Sequence, residues 1–302
     1  MISLILAKKI LSLFLVMALG IVLVRCGIVR SRDSKVLSMI SLYLVMPCVI
    51  ISSFQVKYQP EILNGLLLAL ATAVLLHLVL IVVVGFLGKV LKLDGVEETS
   101  LIYSNAGNLI IPIVTAILGK EWVIYTSAFL SVQLFLLWSH AKMKLCGEKG
   151  IDLKKILTNI NMIAIFAGVL LFLLRIQLPA PVQDAVDSIS SMVGPMGMLI
   201  AEMDLKKLMS YHRLWWITLL RLVGIPLIGI VLLKYSSLAA LVPEGRTILL
   251  VTLLAICTPS ASTLTQMAQV YGKDADYASA INVVTTLLCV VTMPLMVALY
   301  QM

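Results

Sequence analysis

The segment SNAGNLIIPIV, residues 104–114, decides the fold because it places helix-weakening residues inside an apolar run. Two asparagines, a serine, a glycine and a proline stand where a membrane helix is expected. Proline removes a backbone donor and clashes with the preceding helical turn. Irregular backbone at membrane depth is tolerated only where protein or a wet cavity surrounds it. The segment therefore predicts a membrane helix that breaks beside a cavity.

The composition of the whole chain indicates an all-α polytopic membrane protein. Hydrophobic residues make up 61% of the chain and charged residues only 13%, whereas soluble domains are nearer half apolar and a quarter charged. Apolar runs such as residues 62–88 exceed the roughly 20 residues that span a bilayer. The five cysteines are scattered singly and no catalytic motif is present, so no enzyme, cofactor or metal site is expected.

Ten membrane spans are predicted. The first apolar run follows Lys8 and Lys9 but lacks a small-residue cleavage site, so it is interpreted as a retained span and not a signal peptide. The ten spans are residues 5–27, 36–56, 62–88, 97–118, 121–141, 157–177, 183–204, 211–233, 246–270 and 277–300.

The distribution of basic residues predicts the orientation of these spans. Of the 23 lysines and arginines, 15 fall in the loops after the odd-numbered spans and seven on the opposite side. The positive-inside rule places the 15 in the cytoplasm. A multi-pass protein of the cell membrane with both termini extracytoplasmic is expected. The net charge of +8 is then an orientation signal, and nucleic acid is excluded as a partner.

Four prolines indicate an internal repeat. Pro47 and Pro112 lie 65 residues apart in spans 2 and 4, and Pro195 and Pro259 lie 64 apart in spans 7 and 9. The chain then divides into a first five-helix repeat (1–141), a cytoplasmic connecting loop (142–156) and a second repeat (157–302). Because each repeat has an odd number of spans, the second is inverted, as in many secondary transporters.

Spans 4 and 9 carry the predicted substrate site. Both are polar and interrupted by proline, and the two prolines are expected to open the second halves of their spans. Two helix N-termini meeting at the bilayer midplane would favour an anion. The alternative is that the prolines only kink packed helices. The candidate substrate-binding residues at the two breaks are Asn105, Asn108, Pro112, Thr258, Pro259, Ser260 and Ser262.

Other polar residues inside spans complete the candidate site. Arg221 in span 8 is functional by default, and either neutralises a substrate carboxylate or holds a structural acidic partner such as Glu202 or Asp204. Gln133 and Asn282 sit in equivalent spans and are expected to line the cavity. His77 is a candidate for proton coupling, with a hydrogen-bonded interior histidine as the alternative.

These residues also carry a family resemblance. SNAGNLIIPIV, RLVGIPL and CTPSASTLTQMAQVYGKDADYASAINVVTTLLCVVTMPL resemble the auxin efflux carrier family over nearly the whole chain. That family includes bacterial permeases for malate and malonate and the plant PIN-formed auxin exporters. The resemblance implies the crossed-helix fold of bile-acid symporters and sodium–proton antiporters. It also implies a scaffold of spans 1, 2, 6 and 7, often a homodimer, and a transport domain of the other six spans.

The motif in span 4 transfers only in part. Asn105 precedes Pro112 by the same seven residues as the substrate-contacting asparagine of the plant motif, so that role is expected at Asn105. Ser104 stands where the plant pattern has proline, and this chain lacks the second proline of span 9, a few residues beyond Pro259. The resemblance thus implies organic-anion transport but not auxin as the substrate.

The sequence predicts a secondary transporter that moves a small organic anion, a carboxylate or an auxin-like acid, by an elevator-type shift of one domain. One alternative is a sodium-coupled symporter of the bile-acid type. Another is a membrane receptor or regulatory subunit without flux. An intramembrane enzyme is disfavoured by the missing catalytic set.

Overall fold

Helices joined by short turns make up the part of the chain that the computed structural model describes. This part comprises residues 34–147, 157–192 and 211–302, with residues 12, 15, 16, 18–20, 22, 23, 26–28, 154 and 196. Pro195, Glu202 and Asp204 fall outside the described residues, as do most of predicted span 1 and much of the connecting loop.

The helices of the first half are α1 (Ser34–Ile40), α2 (Met46–Ser53), α3 (Pro60–Leu91), α4 (Gly95–Ile102), α5 (Ala106–Ile117), α6 (Val123–Leu136) and α7 (Lys142–Cys146). Those of the second half are α8 (Ile160–Leu173), α9 (Ala180–Ser190), α10 (Leu214–Leu219), α11 (Ile225–Lys234), α12 (Gly245–Cys257), α13 (Ser262–Val270) and α14 (Ala275–Gln301).

Four helical stretches in the described part are long and apolar enough to cross a membrane. They match predicted spans 3, 5, 8 and 10 and are Pro60–Leu91, Val123–Leu145, Leu214–Lys234 and Ala275–Gln301. Shorter apolar helices lie in predicted spans 2, 6 and 9, at Tyr43–Ser53, Ile160–Leu173 and Gly245–Cys257. The second stretch continues through α7 to Cys146, so the first residues of the predicted connecting loop are helical.

The longest helix, α3, shows how these spans meet lipid and protein. Its exposed side includes Leu67, Val82 and Phe86, whereas its buried side includes Gly65 and Ala73. Large apolar side chains on one side suit lipid, and small residues on the other let neighbouring helices approach closely. The helix begins at Pro60 and ends at Leu91, and the next residue, Lys92, has φ +52°.

Two helical stretches contain a π-helical turn that ends two residues before a proline. Ser41–Val45 precedes Pro47, and Leu220–Gly224 precedes Pro226. A proline cannot donate to the carbonyl four residues earlier and collides with it, so the wider π turn relieves that contact. Proline therefore loosens these helices without breaking them.

The helices of predicted spans 4 and 9 do break, but their second halves do not begin at the prolines. Helix α5 begins at Ala106, so Pro112 lies inside it, and α13 begins at Ser262, after Pro259. The prediction that these prolines open the second half-helices is therefore wrong. Pro259 instead holds Thr258 in an extended conformation (φ −68°, ψ 159°), as proline does to the residue before it.

The helices pack as two groups. Helix α2 packs against α8 and α9, and α3 packs against α6 and α12. A hydrogen bond between Ser53 of α2 and Ser127 of α6 joins the two groups. The first group corresponds to predicted spans 2, 6 and 7, and the broken helices belong to the second group.

Candidate functional site at the helix crossing

The two broken helices cross at their breaks. Ser104 and Ser260 lie opposite each other in an antiparallel bridge. The Asn105 amide donates to the Pro259 carbonyl at 2.8 Å, and the Ala261 amide donates to the Tyr103 carbonyl at 3.1 Å. We call residues 103–105 and 258–261 the helix crossing. Main-chain pairing there supplies partners that the interrupted helices have lost, which a membrane interior requires.

Amide and hydroxyl side chains satisfy the remaining main-chain groups of the bridge. The Gln133 side chain accepts from the Ser104 amide at 3.1 Å and donates to its carbonyl at 2.8 Å. On the other side of the bridge, Asn282 donates to the Ser260 carbonyl at 2.5 Å, and Thr285 accepts from the Ser260 amide at 3.1 Å. Gln133 and Asn282 therefore hold equivalent positions of the crossing, and their contact with substrate stays a prediction.

Arg221 binds the carbonyl side of the crossing. Its guanidinium is fully buried and donates to the carbonyls of Leu101 at 2.8 Å, Ile256 at 3.1 Å and Thr258 at 2.8 Å. These carbonyls lie at the C-terminal ends of α4 and α12, where the helix dipoles concentrate negative charge. Among the described residues, the guanidinium has main-chain partners and no acidic one. These contacts favour a structural role, and anion binding by Arg221 stays a prediction.

The amide side of the crossing is left uncapped within the described structure. Helices α5 and α13 follow Asn105 and Ala261, and neither residue makes a side-chain capping bond. Side chains cap α4, α8 and α14, at Asp94, Asn159 and Asp274, whereas other described helices such as α3 and α12 also begin without a side-chain cap. Uncapped amides at helix N-termini favour an anion. The crossing thus has a carbonyl side that Arg221 neutralises and an amide side without side-chain caps.

The hydroxyl groups of the crossing differ in their use. The Ser104 hydroxyl donates to Gln133 at 2.8 Å, and the Thr258 hydroxyl donates to the Ala255 carbonyl at 2.8 Å. The Ser262 hydroxyl lies 3.4 Å from the Asn105 side-chain oxygen, so it joins the two helix starts. The Ser260 hydroxyl is buried and finds no partner in the described part of the chain. A buried unpaired hydroxyl is costly unless a ligand or water binds it.

The predicted site residues are thus partly brought together. Asn105, Thr258, Pro259, Ser260 and Ser262 meet at the crossing. Asn108 lies in the first turn of α5 and Pro112 in the second; the structure does not describe their side chains. The substrate contacts predicted for all of these residues remain predictions.

His77 lies beside the crossing as an interior histidine. Its side chain is buried, and Nδ1 lies 2.8 Å from the Ala73 carbonyl of its own helix. Nε2 has no partner within the described residues, and the ring lies 4.8 Å from that of Phe129. This environment suits a neutral imidazole, in line with the hydrogen-bonded alternative, and proton coupling by His77 stays a prediction.

The sequence analysis missed a charged cluster at the start of α4. Glu97 is buried, pairs with Arg213 at 3.3 Å and accepts from the Tyr277 hydroxyl at 3.0 Å. Arg213 also donates to the carbonyls of Leu91 and Lys92 at the end of α3. The cluster ties the ends of α3, α4, α10 and α14 together. The Asp94–Glu97 capping box, an acidic cap with glutamate three residues later, could have located it.

Tyr103, His140 and Thr285 were also missed. Thr285 follows Asn282 by three residues, so both face the same neighbour from α14, and this spacing was visible in the sequence. No sequence signal pairs Tyr103 with His140, because their contact depends on how α4 packs against the helix that begins with α6. The Tyr103 hydroxyl lies 2.8 Å from His140 Nδ1 and 3.2 Å from the Leu136 carbonyl.

Comparison with known protein families identifies one family. A family model described as a membrane transport protein matches the chain twice, over residues 5–150 and 148–297. Together the two matches cover nearly the whole chain, and each covers about one half of it. No curated protein matches the chain.

Proposed function

Because the chain belongs to the membrane transport protein family, the auxin efflux carrier family, we propose that it is a secondary transporter of a small organic anion. It carries a carboxylate or auxin-like acid across the cytoplasmic membrane by elevator-type alternating access. The substrate binds at the helix crossing.

The observation that carries the anion proposal is the uncapped amide side of the crossing. Two uncapped helix starts converge there with the buried Ser260 hydroxyl, which has no partner among the described residues, whereas Arg221 neutralises the opposite side. Each helix start contributes about half a positive charge and several amide donors. A carboxylate accepts such bonds and supplies the missing partner of Ser260.

The proposed architecture is ten transmembrane helices in two inverted repeats. Two observations support it. The family model matches each half of the chain once. The bridge residue of each half is held by the same kind of side chain, since Gln133 binds both main-chain groups of Ser104, and Asn282 and Thr285 together bind those of Ser260.

The elevator proposal is supported by the position of the crossing at the border of the two helix groups. Gly107, in the first turn of α5, faces Met46 of α2, and a Cβ atom at this glycine would lie 2.7 Å from the Met46 Cε atom. The amide end of α5 therefore approaches the group that contains α2. A substrate at such a border is exposed to either side when one group slides past the other.

We expect Ser260→Ala to lower the affinity for a transported acid roughly 10- to 100-fold, because a hydrogen bond to a charged group contributes about 1.5–3 kcal/mol. Folding should be preserved, since the hydroxyl has no partner among the described residues. The measurement is isothermal titration calorimetry of purified protein with malonate, malate and indole-3-acetate, supported by the melting temperature.

Ser100→Ala is the matched control for this experiment. Ser100 is also buried with an unpartnered hydroxyl in the described structure, but it lies in α4, before the break. The control should bind as the wild type does. Equal affinity of Ser260→Ala and the wild type for an acid that binds would remove the Ser260 hydroxyl from the site.

We also expect cysteines at Lys57 and Lys273 to react from opposite sides of the membrane. Both residues are exposed; Lys57 precedes α3 and Lys273 lies between α13 and α14. The proposed topology places Lys57 outside and Lys273 in the cytoplasm. The measurement is labelling of intact cells with an impermeant maleimide, with wild-type labelling subtracted for the native cysteines. Labelling of both positions from outside would contradict the topology.

A further inference from the structure

We propose that His140 is the proton-binding site of this transporter and that its protonation state changes the hydrogen bond to Tyr103 at the helix crossing. This inference rests on the proposed function only where it links the proton to the anion. The proton site itself follows from the contacts of His140.

The hydrogen bonds around Tyr103 accommodate both protonation states of His140. When the imidazole is neutral, Nδ1 accepts from the Tyr103 hydroxyl across 2.8 Å. When it is protonated, Nδ1 donates to the same oxygen, and the tyrosine hydrogen turns to the Leu136 carbonyl at 3.2 Å. The proton comes from water, and neither state leaves Tyr103 without a partner.

His77 lacks such an arrangement. Its Nδ1 faces the Ala73 carbonyl and must carry a hydrogen, and its buried Nε2 has no described partner to accept a second one. A charged imidazole there would be desolvated and unpaired. His140 is partly buried, and it lies two residues before Lys142 at the predicted cytoplasmic end of its helix, where water can reach it.

The local helix geometry is also unusual at His140. It lies in a π-helical turn, Leu137–Ala141, and no proline follows this turn as one follows the other two. Single π turns occur frequently at functional sites. Here no proline accounts for the extra residue in the turn. The turn contains His140 and directly follows Leu136, whose carbonyl accepts from the Tyr103 hydroxyl.

The charged groups around His140 connect it to one face of the protein. Glu98 of α4 and Lys144 of α7 are paired at 2.5 Å near His140, where the ammonium opposes a charged imidazole and the carboxylate favours it. The Lys142 ammonium lies 5.9 Å from the centre of the Tyr271 ring. Towards the crossing, the His77 ring is 6.4 Å from that of Tyr103, and Arg221 binds the Leu101 carbonyl. Titratable groups thus extend from the predicted cytoplasmic end of α4 to the crossing.

Protonation of His140 would favour an anion at the crossing. The Tyr103 carbonyl accepts from the Ala261 amide, and Tyr103 directly precedes Ser104 and Asn105. A positive charge on His140, the hydrogen-bond partner of the Tyr103 hydroxyl, therefore acts on the anion site. Binding of a proton and binding of an anion are then reciprocally coupled. We expect roughly ten-fold tighter anion binding when His140 is charged, within the usual range of such coupling.

The first experiment measures the proton alone. The chain has three histidines, so ¹⁵N-histidine spectra of the protein in lipid nanodiscs can be assigned with His77→Gln and His212→Gln. His140 is expected to be neutral at about pH 8 and to become charged as the pH is lowered below about 6.5, the ordinary pKa of histidine. The Tyr103→Phe variant should shift that transition. A His140 signal that stays neutral throughout, or that Tyr103→Phe leaves unchanged, would overturn the proton site.

The second experiment measures the link to the anion. Affinity for malonate, malate and indole-3-acetate is compared at pH 5 and pH 8 in the wild type, His140→Gln and the exposed control His212→Gln. The roughly ten-fold gain at pH 5 should persist in the control and fall below about two-fold in His140→Gln. Equal gains in all three proteins would overturn the coupling. A titrating His140 in a protein that binds none of these acids would count against the proposed function alone.

Discussion

Asn105→Asp is expected to abolish anion binding, with a loss of at least about 100-fold in affinity, while leaving the protein folded. Asn105 is buried at the start of α5 and its side-chain oxygen lies beside Ser262 at the start of α13. A carboxylate about 4 Å from a bound anion costs about 4 kcal/mol at an effective dielectric constant near 20. Aspartate is also a favourable residue before a helix, so the variant would carry its own anion at the crossing. Calorimetry and the melting temperature measure the two effects.

Asn159→Asp is the matched control for this variant. Asn159 also precedes a helix, α8, and its side chain caps the Asn161 amide at 2.9 Å. The same substitution there adds the same charge at a helix start outside the crossing. It should change affinity less than about two-fold, because charges more than a Debye length apart are largely screened. If both aspartate variants bind an acid as the wild type does, the amide side of the crossing is not its site.

Arg221→Ala is expected to lose most of the folded protein. Removal of the guanidinium would leave three buried carbonyls at the ends of α4 and α12 without a donor. Each such group costs about 1–3 kcal/mol, so the total is on the order of 3–9 kcal/mol. Arg221→Lys keeps the charge, but a single ammonium cannot replace the two guanidinium nitrogens that bind carbonyls of α4 and of the α12 end. The stability of this variant should therefore lie between those of the wild type and Arg221→Ala. The measurement is the monodisperse yield and melting temperature of each variant.

Arg213→Ala provides the comparison for the arginine experiment. Arg213 also donates to two main-chain carbonyls and pairs with Glu97, but half of its side chain is exposed. Its removal should cost much less, about 1 kcal/mol, because water replaces the lost contacts. A stable Arg221→Ala protein that had lost only its anion affinity would show that the arginine contacts the substrate.

The general position of the crossing could be predicted from the sequence because helix-weakening residues stand out in apolar runs. SNAGNLIIPIV and CTPSASTLTQ each combine a proline with several small polar residues, and both breaks lie within these segments. The long apolar runs of spans 3, 5, 8 and 10 likewise gave their helices to within a few residues. Both signals are local, so they need no knowledge of packing.

The exact breaks and the role of Arg221 could not be predicted, because they depend on contacts between distant segments. The helix of predicted span 4 is interrupted at residues 103–105, where Gln133 and residues 259–261 bind its main chain. Pro112 is the stronger local signal for a helix break, but it lies inside α5. The three carbonyls that bind Arg221 come from residues 35 to 120 positions away in the sequence. Main-chain acceptors carry no sequence signature, so an acidic partner or substrate was the natural expectation.

Transport in liposomes tests the central claim most directly. Purified wild type, Asn105→Asp and Asn159→Asp are reconstituted, and counterflow of radiolabelled malonate, malate and indole-3-acetate is measured against protein-free liposomes. We predict counterflow of at least one acid in the wild type and in Asn159→Asp, and none in Asn105→Asp. Equal counterflow in all three proteins would contradict binding at the helix crossing, and no counterflow of any acid in the wild type would contradict the proposed organic-anion transport.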